Sequence, residues 1–469
     1  MRRRWLFGAA VLVGAWLFIF LFHRAPKILL FDQAWVSWNL LPLPFSANGM
    51  HEAIRWQMTV HTPEVLRPAR AILWWLETQA LGCGPAGYYV FNGVALGAAT
   101  WAAWLLAAML TGSRRRALVV ALGAGATYAT ILPLLYFGYA QPAFCAYLGL
   151  AAWFCAETGE SGRRGPLRVA AVVLVVLATL MHETYLAYAV VPLLHAIVVR
   201  RTRPALARAA AFLGIVPVYA VLRAVQGWAF GIASSWLGVI VEGAQHSPDK
   251  LVENPGRVLF AMLTGGLPLD PLRAMPWFPE FARIREMMLG AAGLATLAAV
   301  LAPTLGLAAL ALAAARHDTA ARRRTIFYLL WLAAGSLPLT LPVGTPEAVH
   351  LVGALPALFL LWSEAFAPGA GRAAVAAAWV LLAAWTGVHL GARWVLFHRD
   401  IPAMSRAVQA LHHVFLDAQR AGTRAAVLFV PAQIGGHYGM LPTVPALYRD
   451  RAGRCVRGDH PAGDRKSVV

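Results

Sequence analysis

Three groups of residues in this chain have types and spacing that could carry chemistry. Asp32 stands in Phe31-Asp32-Gln33, a few residues past the first apolar run. A carboxylate beside a membrane surface loses hydration and repels anionic headgroups, and it can take a proton from a hydroxyl. His182 and Glu183 adjoin in Met181-His182-Glu183-Thr184, between two apolar runs. Ionisable groups there are costly unless paired or functional, so Glu183 could pair with an arginine or hold an acceptor, and His182 could face an anion. Glu347 and His350 occupy a comparable turn, and Arg67 and Arg70 share the loop of Asp32. Each also has a plain reading as a solvated loop acid, a polar turn between helices, or arginines at lipid headgroups.

The elements that must position them are membrane helices. Of the 469 residues, 59% are hydrophobic and 13% charged, and the mean hydropathy is +0.61. That composition belongs to a polytopic membrane protein. The formal charge of +19 would point a soluble domain to nucleic acid, but the basic residues sit in short clusters between apolar runs, where they signal topology, and no nucleic-acid partner is expected. Lysine occurs only at Lys27, Lys250 and Lys466. Arginine therefore supplies nearly all the positive charge, as in the proteins of a GC-rich bacterial genome.

Met1-Arg2-Arg3-Arg4 and the apolar run Trp5 to Phe22 read as an uncleaved first helix, since the run is of span length and no small-x-small site closes it. Further spans are expected near 86–111, 117–137, 139–156, 167–181, 184–199, 207–225, 287–314, 326–342, 350–366 and 373–392, about eleven in all. Arginine placement tests the count. The clusters at Arg114–Arg116, Arg163–Arg168, Arg200–Arg208, Arg316–Arg324 and Arg372 all fall on one side, which the positive-inside rule makes cytoplasmic. The other side receives the loops 23–85 and 226–286, the turns near 138–141, at 181–184 and at 343–349, and the chain after Gly391. The expected location is a bacterial inner membrane, multi-pass, with the N-terminus cytoplasmic and the large loops and C-terminus extracytoplasmic.

Loop 23–85 is long enough to be functional or to carry structure of its own. Its Trp35, Trp38, Trp56, Trp74 and Trp75 read as an interfacial belt. Loop 226–286 holds apolar stretches at 228–241 and 258–267, too short to span, which read as amphipathic or re-entrant pieces. Residues 1–392 are thus a transmembrane domain. Residues 393–463 read as the start of a small α/β extracytoplasmic segment, with helical spacing from Arg399 to Ala421 and a strand at Ala425–Pro431. The last six residues, 464–469, match one reading frame of a common sequencing adapter, so the natural protein is expected to be longer. Cys83, Cys145, Cys155 and Cys455 have no metal-ligand spacing, and adjacency in sequence alone does not establish His51 and Glu52 as a metal site. No cofactor is expected, and a requirement for a divalent metal stays open.

One passage resembles a family. Arg67-Pro68-Ala69-Arg70-Ala71-Ile72-Leu73, leading through Leu81-Gly82-Cys83-Gly84-Pro85 to Gly87-Tyr88-Tyr89-Val90-Phe91-Asn92, is similar to the "RPL…LFG-x-x-P-x-GYH-x-x-N" passage of GT-C glycosyltransferases, membrane enzymes of the protein-mannosyltransferase type. Two more passages follow in the family's order. His182-Glu183-Thr184 sits where a "KET" hairpin tip is common, and Glu347-Ala348-Val349-His350-Leu351 where many members have "ERYLY". The chain departs from the pattern at Gln33, where many relatives carry a second acid, at His182 in place of lysine, and at Ala348, Val349 and His350.

The resemblance implies an all-α GT-C fold and transfer of a sugar from a polyprenyl-phosphate donor to a lipid, glycan or protein acceptor at the outer face, with inversion. It implies Asp32 as the base. Arg67, Arg70, His182, Glu183, Glu347 and His350 become candidates for binding donor phosphate and substrate. Two other classes share the many-spanning form: an envelope oligosaccharide polymerase or ligase, and a non-enzymatic carrier of lipid-linked sugar. A carrier should show inverted repeats, and none is convincing in this sequence.

Overall fold

The computed structural model describes residues 2–23, 49–56, 58, 66–81, 85–135, 139–158, 164–231, 245, 250–267, 291–316, 318–340, 348–400, 402, 447–449 and 455–457. The bundle is helical throughout. Its first half comprises α1 (Arg2–Phe22), α2 (Gly49–Trp56), α3 (Pro68–Leu81), α4 (Pro85–Thr111), α5 (Arg114–Ala126), α6 (Ile131–Leu135), α7 (Ala140–Thr158) and α8 (Arg164–Met181). After a 3-10 turn at Glu183–Ala189 come α9 (Val191–His195), α10 (Arg203–Leu213), α11 (Ile215–Phe230), α12 (Lys250–Leu263), α13 (Ala291–Arg316), α14 (Thr319–Ser336), α15 (Leu355–Ser363) and α16 (Arg372–Val395).

Six helical segments are long and apolar enough to cross a membrane: Ala86–Thr111, Arg164–Met181, Glu183–Arg200, Arg203–Phe230, Leu297–Arg316 and Arg372–Arg399. Leu6–Phe22 and Leu351–Phe366 are shorter apolar helices. The protein is therefore a multi-pass membrane protein. Its long helices turn apolar side chains outward, as Val169, Val173 and Leu177 on α8 show, and a stripe at that spacing suits lipid better than water. Of the remaining expected spans, 139–156 is the unbroken helix α7, less apolar than the six, and the other two are interrupted. Run 117–137 breaks at Thr127, whose extended ψ of 139° separates α5 from a 3-10 turn and α6. Run 326–342 lies largely in α14, which gives way at Ser336 to a 3-10 turn over Leu337–Thr340.

In loop 226–286 most of the expected piece at 228–241 lies outside the described residues, and the piece at 258–267 belongs to a longer helix. Residues 250–263 form one helix, α12, with Pro255 inside it. It ends at Gly265 and Gly266, whose φ values of 59° and 76° suit only glycine comfortably. The Gly265 carbonyl accepts from Thr127 Oγ1 at 2.8 Å and from Ala129 N at 3.2 Å, so α12 docks on the break between α5 and α6.

Small residues set the closest helix contacts. On α4, Gly93 and Gly97 stand one turn apart and face α1; a Cβ at Gly93 would lie 2.8 Å from the Phe20 ring, and one at Gly97 would overlap the Trp16 indole. Elsewhere the core is aromatic. Trp331, Trp362 and Trp385 are fully buried, the last two packed edge to face at 5.2 Å.

Ion pairs gather the basic clusters at one end of the bundle. Arg116 and Arg324 both bind the buried Glu364, Arg324 at 2.9 and 3.1 Å. Arg168 and Arg208 share Glu157 at 3.2 and 2.6 Å. Each pair joins arginines from two of the basic clusters. Within 393–463, Leu447–Arg449 and Cys455–Arg457 form a short antiparallel strand pair. The expected helix 399–421 and strand 425–431 lie outside the described residues, apart from its first two positions and residue 402.

Candidate functional site

At the end of the bundle away from the arginine clusters, the three passages of the resemblance meet. Arg67 stands just before Pro68, which begins α3; proline suits a first helical position because its missing N–H needs no partner. The Arg67 carbonyl accepts from Ala71 N at 3.2 Å, which fixes the side chain's point of departure. Glu183 follows His182, an extended residue (φ −158°, ψ 117°) that stops α8 and opens the 3-10 turn. The two side chains form a two-point pair, Arg67 Nε donating to Glu183 Oε2 and Nη2 to Oε1, both at 2.6 Å. Their side chains are only 11% and 18% exposed. A fork-to-fork pair so covered fixes both groups and cancels their charges.

The third passage joins through the same 3-10 turn. Tyr188 donates its hydroxyl to the Gly353 carbonyl and Tyr147 to the Val352 carbonyl, holding the 3-10 turn Ala348–Gly353 against it. The backbone of His350 belongs to that turn. Glu347 lies outside the described residues, and so does Asp32.

Arg70 is a second, almost fully buried guanidinium. It lies over the Trp74 ring at 4.1 Å and the Tyr139 ring at 4.6 Å. Tyr139 in turn sits 5.4 Å from the His182 ring, and His182 Nδ1 shares a 2.9 Å hydrogen bond with Thr184 Oγ1. Arg70, Tyr139 and His182 thus form a row beside the Arg67–Glu183 pair. Nothing local in the sequence distinguished Tyr139 from an ordinary interfacial residue.

Sequence reasoning missed Glu77. Arg70, Trp74 and Glu77 recur four and three residues apart on α3, a buried helical face, and that polar recurrence on an inward stripe was the available signal. Gln141 Nε2 lies 3.3 Å from Glu77 Oε1 and 3.4 Å from Asn92 Oδ1. Burial pushes the Glu77 carboxyl well above the ordinary carboxylate range, with nearby Arg70 opposing. Between the unfolded value and this raised one, the folded protein keeps a proton that the unfolded chain has released, so stability falls as pH rises through that window. Glu77→Gln should flatten this slope; melting temperatures in detergent from pH 5 upward check it, and an unchanged slope would contradict a protonated Glu77.

A second polar cluster was also missed. Arg393, fully buried, donates from Nε to His23 Nε2 at 3.1 Å and from Nη1 to Gly125 O at 2.6 Å and Thr130 Oγ1 at 3.0 Å. His389 Nδ1 accepts from Tyr128 N at 3.0 Å. Among the described residues no carboxylate pairs with Arg393. Tyr89 donates to the Ile19 carbonyl at 3.1 Å, and Asn92, one turn further along α4, donates to Leu134 O at 3.4 Å. The tyrosine and asparagine of the first passage therefore connect the two clusters along one helix. Among the described residues no three His, Cys, Asp or Glu side chains converge as a metal site would need. The groups on offer are guanidinium, imidazole, phenol, amide and the carboxyls of Glu77 and Glu183.

No family model matches the sequence, and no curated protein matches it. Two solved structures are similar to it. The oligosaccharyltransferase of Archaeoglobus fulgidus in its apo form has a TM-score of 0.47 and 13% identity over 84% of this chain and 56% of that one. The archaeal oligosaccharyltransferase AglB from Archaeoglobus fulgidus, in complex with an inhibitory peptide and a dolichol-phosphate, has a TM-score of 0.48 and 14% identity over the same shares. The chain spans little more than half the length of either.

Proposed function

We propose that this protein is an integral-membrane glycosyltransferase of the GT-C type, moving a sugar from a polyprenyl-phosphate donor to a hydroxyl at the extracytoplasmic face. The observation that carries the reading is the Arg67–Glu183 pair. It joins two passages of the resemblance that stand 116 residues apart in the chain, at the end opposite the arginine clusters. The parity of those clusters supports about eleven crossings with the N-terminus and the basic loops cytoplasmic.

The reaction needs a base for the acceptor and positive charge for the leaving group. Asp32 takes the acceptor's hydroxyl proton as the oxygen bonds to the anomeric carbon. The bond from that carbon to the phosphate oxygen breaks, and the electron pair leaves with polyprenyl phosphate. Attack from the face opposite the phosphate inverts the centre. Arg70 and His182 stabilise the departing phosphate, Arg67 and Glu183 hold one another in place beside them, and Glu347 and His350 complete the site from the third passage.

The test is to offer the purified protein a panel of polyprenyl-phosphate sugars with lipid and peptide acceptors. Released polyprenyl phosphate, with a product of inverted configuration, is expected for one donor. Failure of every donor would sink the reading. One observation favours a second reading, an oligosaccharide polymerase or ligase: the Arg393, His23 and His389 cluster is the arginine and histidine chemistry such an enzyme would use in place of an aspartate base. A polyprenyl-diphosphate-linked oligosaccharide in the same panel separates the two.

A further inference from the structure

The arginine-rich end of the bundle carries a cavity of about 440 Å³. Phe154 and His195 line it with Thr158, Arg200, Arg323 and Arg324. His195 is held edge-on between Phe154 at 4.8 Å and Phe327 at 5.2 Å, which makes one wall aromatic. Thr158 Oγ1 donates to the Phe154 carbonyl at 3.0 Å, so its oxygen is an acceptor only. The positive charge comes from the three arginines.

Nearby acids do not neutralise all of it. Glu364 is held by Arg116 and Arg324, and Glu157 by Arg168 and Arg208. Arg200 and Arg323 have no acidic partner among the described residues, yet both border the same cavity. Two forked guanidiniums on one polar and apolar hollow suit an oxyanion far better than a neutral group, and together they can grip the several oxygens of a phosphate. The volume lies in the range of small-ligand sites, and basic pockets between helices on the cytoplasmic side bind lipid headgroups.

We infer that this cavity binds a phosphate ester, the headgroup of an anionic lipid in the leaflet at the arginine-rich end. The site is separated from Arg67 and Glu183 by the length of α8, about 27 Å for its 18 residues. It does not rest on the proposed reaction.

The full-length protein in detergent is titrated with phosphatidylglycerol, with phosphatidylcholine of the same acyl chains, and with inorganic phosphate. Bound lipid is read by native mass spectrometry and stability by melting temperature. Phosphatidylglycerol should be retained at least about tenfold more tightly than phosphatidylcholine. The double variant Arg200→Gln/Arg323→Gln should lose about tenfold per arginine, a usual size for a hydrogen bond to a charged group at a partly open site. Arg322→Gln, an exposed neighbour outside the cavity, should bind as the parent does. Inorganic phosphate that raises the melting temperature as much as the lipid, with the same dependence on the two arginines, would assign the phosphate site to a soluble ligand. Equal retention of both lipids with no phosphate effect, or binding unchanged in the double variant, would overturn the inference. Should the glutamine pair not fold, Arg200→Lys/Arg323→Lys removes the forks and keeps the charge; a severalfold loss is expected, and none would count against the site.

Discussion

Asp32→Asn should lower kcat for sugar transfer by about 10²–10⁴-fold, the usual contribution of a positioned general base. The substitution keeps size and shape and removes only the ability to take a proton. Donor binding, measured with a non-reacting polyprenyl phosphate, should therefore stay within a few-fold of the parent. The same variant should lose the acidic limb of the pH profile of kcat, because that limb reports protonation of the base. The next position in the chain is Gln33, whose amide cannot take over as a base. Undiminished turnover in Asp32→Asn would remove the aspartate from the mechanism. A donor affinity that falls in step with kcat would instead make Asp32 a binding residue.

Helices were legible in the sequence, and partnerships were not. Apolar runs bounded by arginines marked nearly every long helix, because lipid demands an unbroken hydrogen-bonded backbone and arginine is excluded from its interior. Breaks such as Thr127, or the glycines that end α12, depend on what docks against them: the Gly265 carbonyl meets Thr127 Oγ1 from 138 residues away. Single-window hydropathy has no access to that. The site shows the same division. Arg67 and Glu183 each stood out by type and position, but an ion pair spanning 116 residues is a property of packing. Glu77 was passed over because one acid on a loop helix looks solvated until the helix is known to turn it inward. Arg393 was passed over for a parallel reason: its partners are backbone carbonyls, a threonine hydroxyl and a histidine, which leave no complementary charge in the sequence to find.

Breaking the Arg67–Glu183 pair from one side should destabilise the protein by about 3–5 kcal/mol, because the remaining charge is left covered and uncompensated. Arg67→Ala and Glu183→Gln should therefore both lower the melting temperature in detergent, and both should lose transfer. That result alone does not separate a structural strut from a functional pair. The double variant Arg67→Met/Glu183→Leu does, since apolar residues of similar size often replace a covered ion pair at no cost in stability. It should melt near the parent temperature and still fail to transfer sugar if the pair positions Arg70 and His182 against the departing phosphate. Because those two groups make the proposed phosphate contacts themselves, donor binding should fall less in the double variant than kcat does. Full activity in a well-folded double variant would reduce the pair to a strut between α3 and the hairpin tip. The function would then have to be sought in the row of Arg70, Tyr139 and His182, or in the Arg393 cluster.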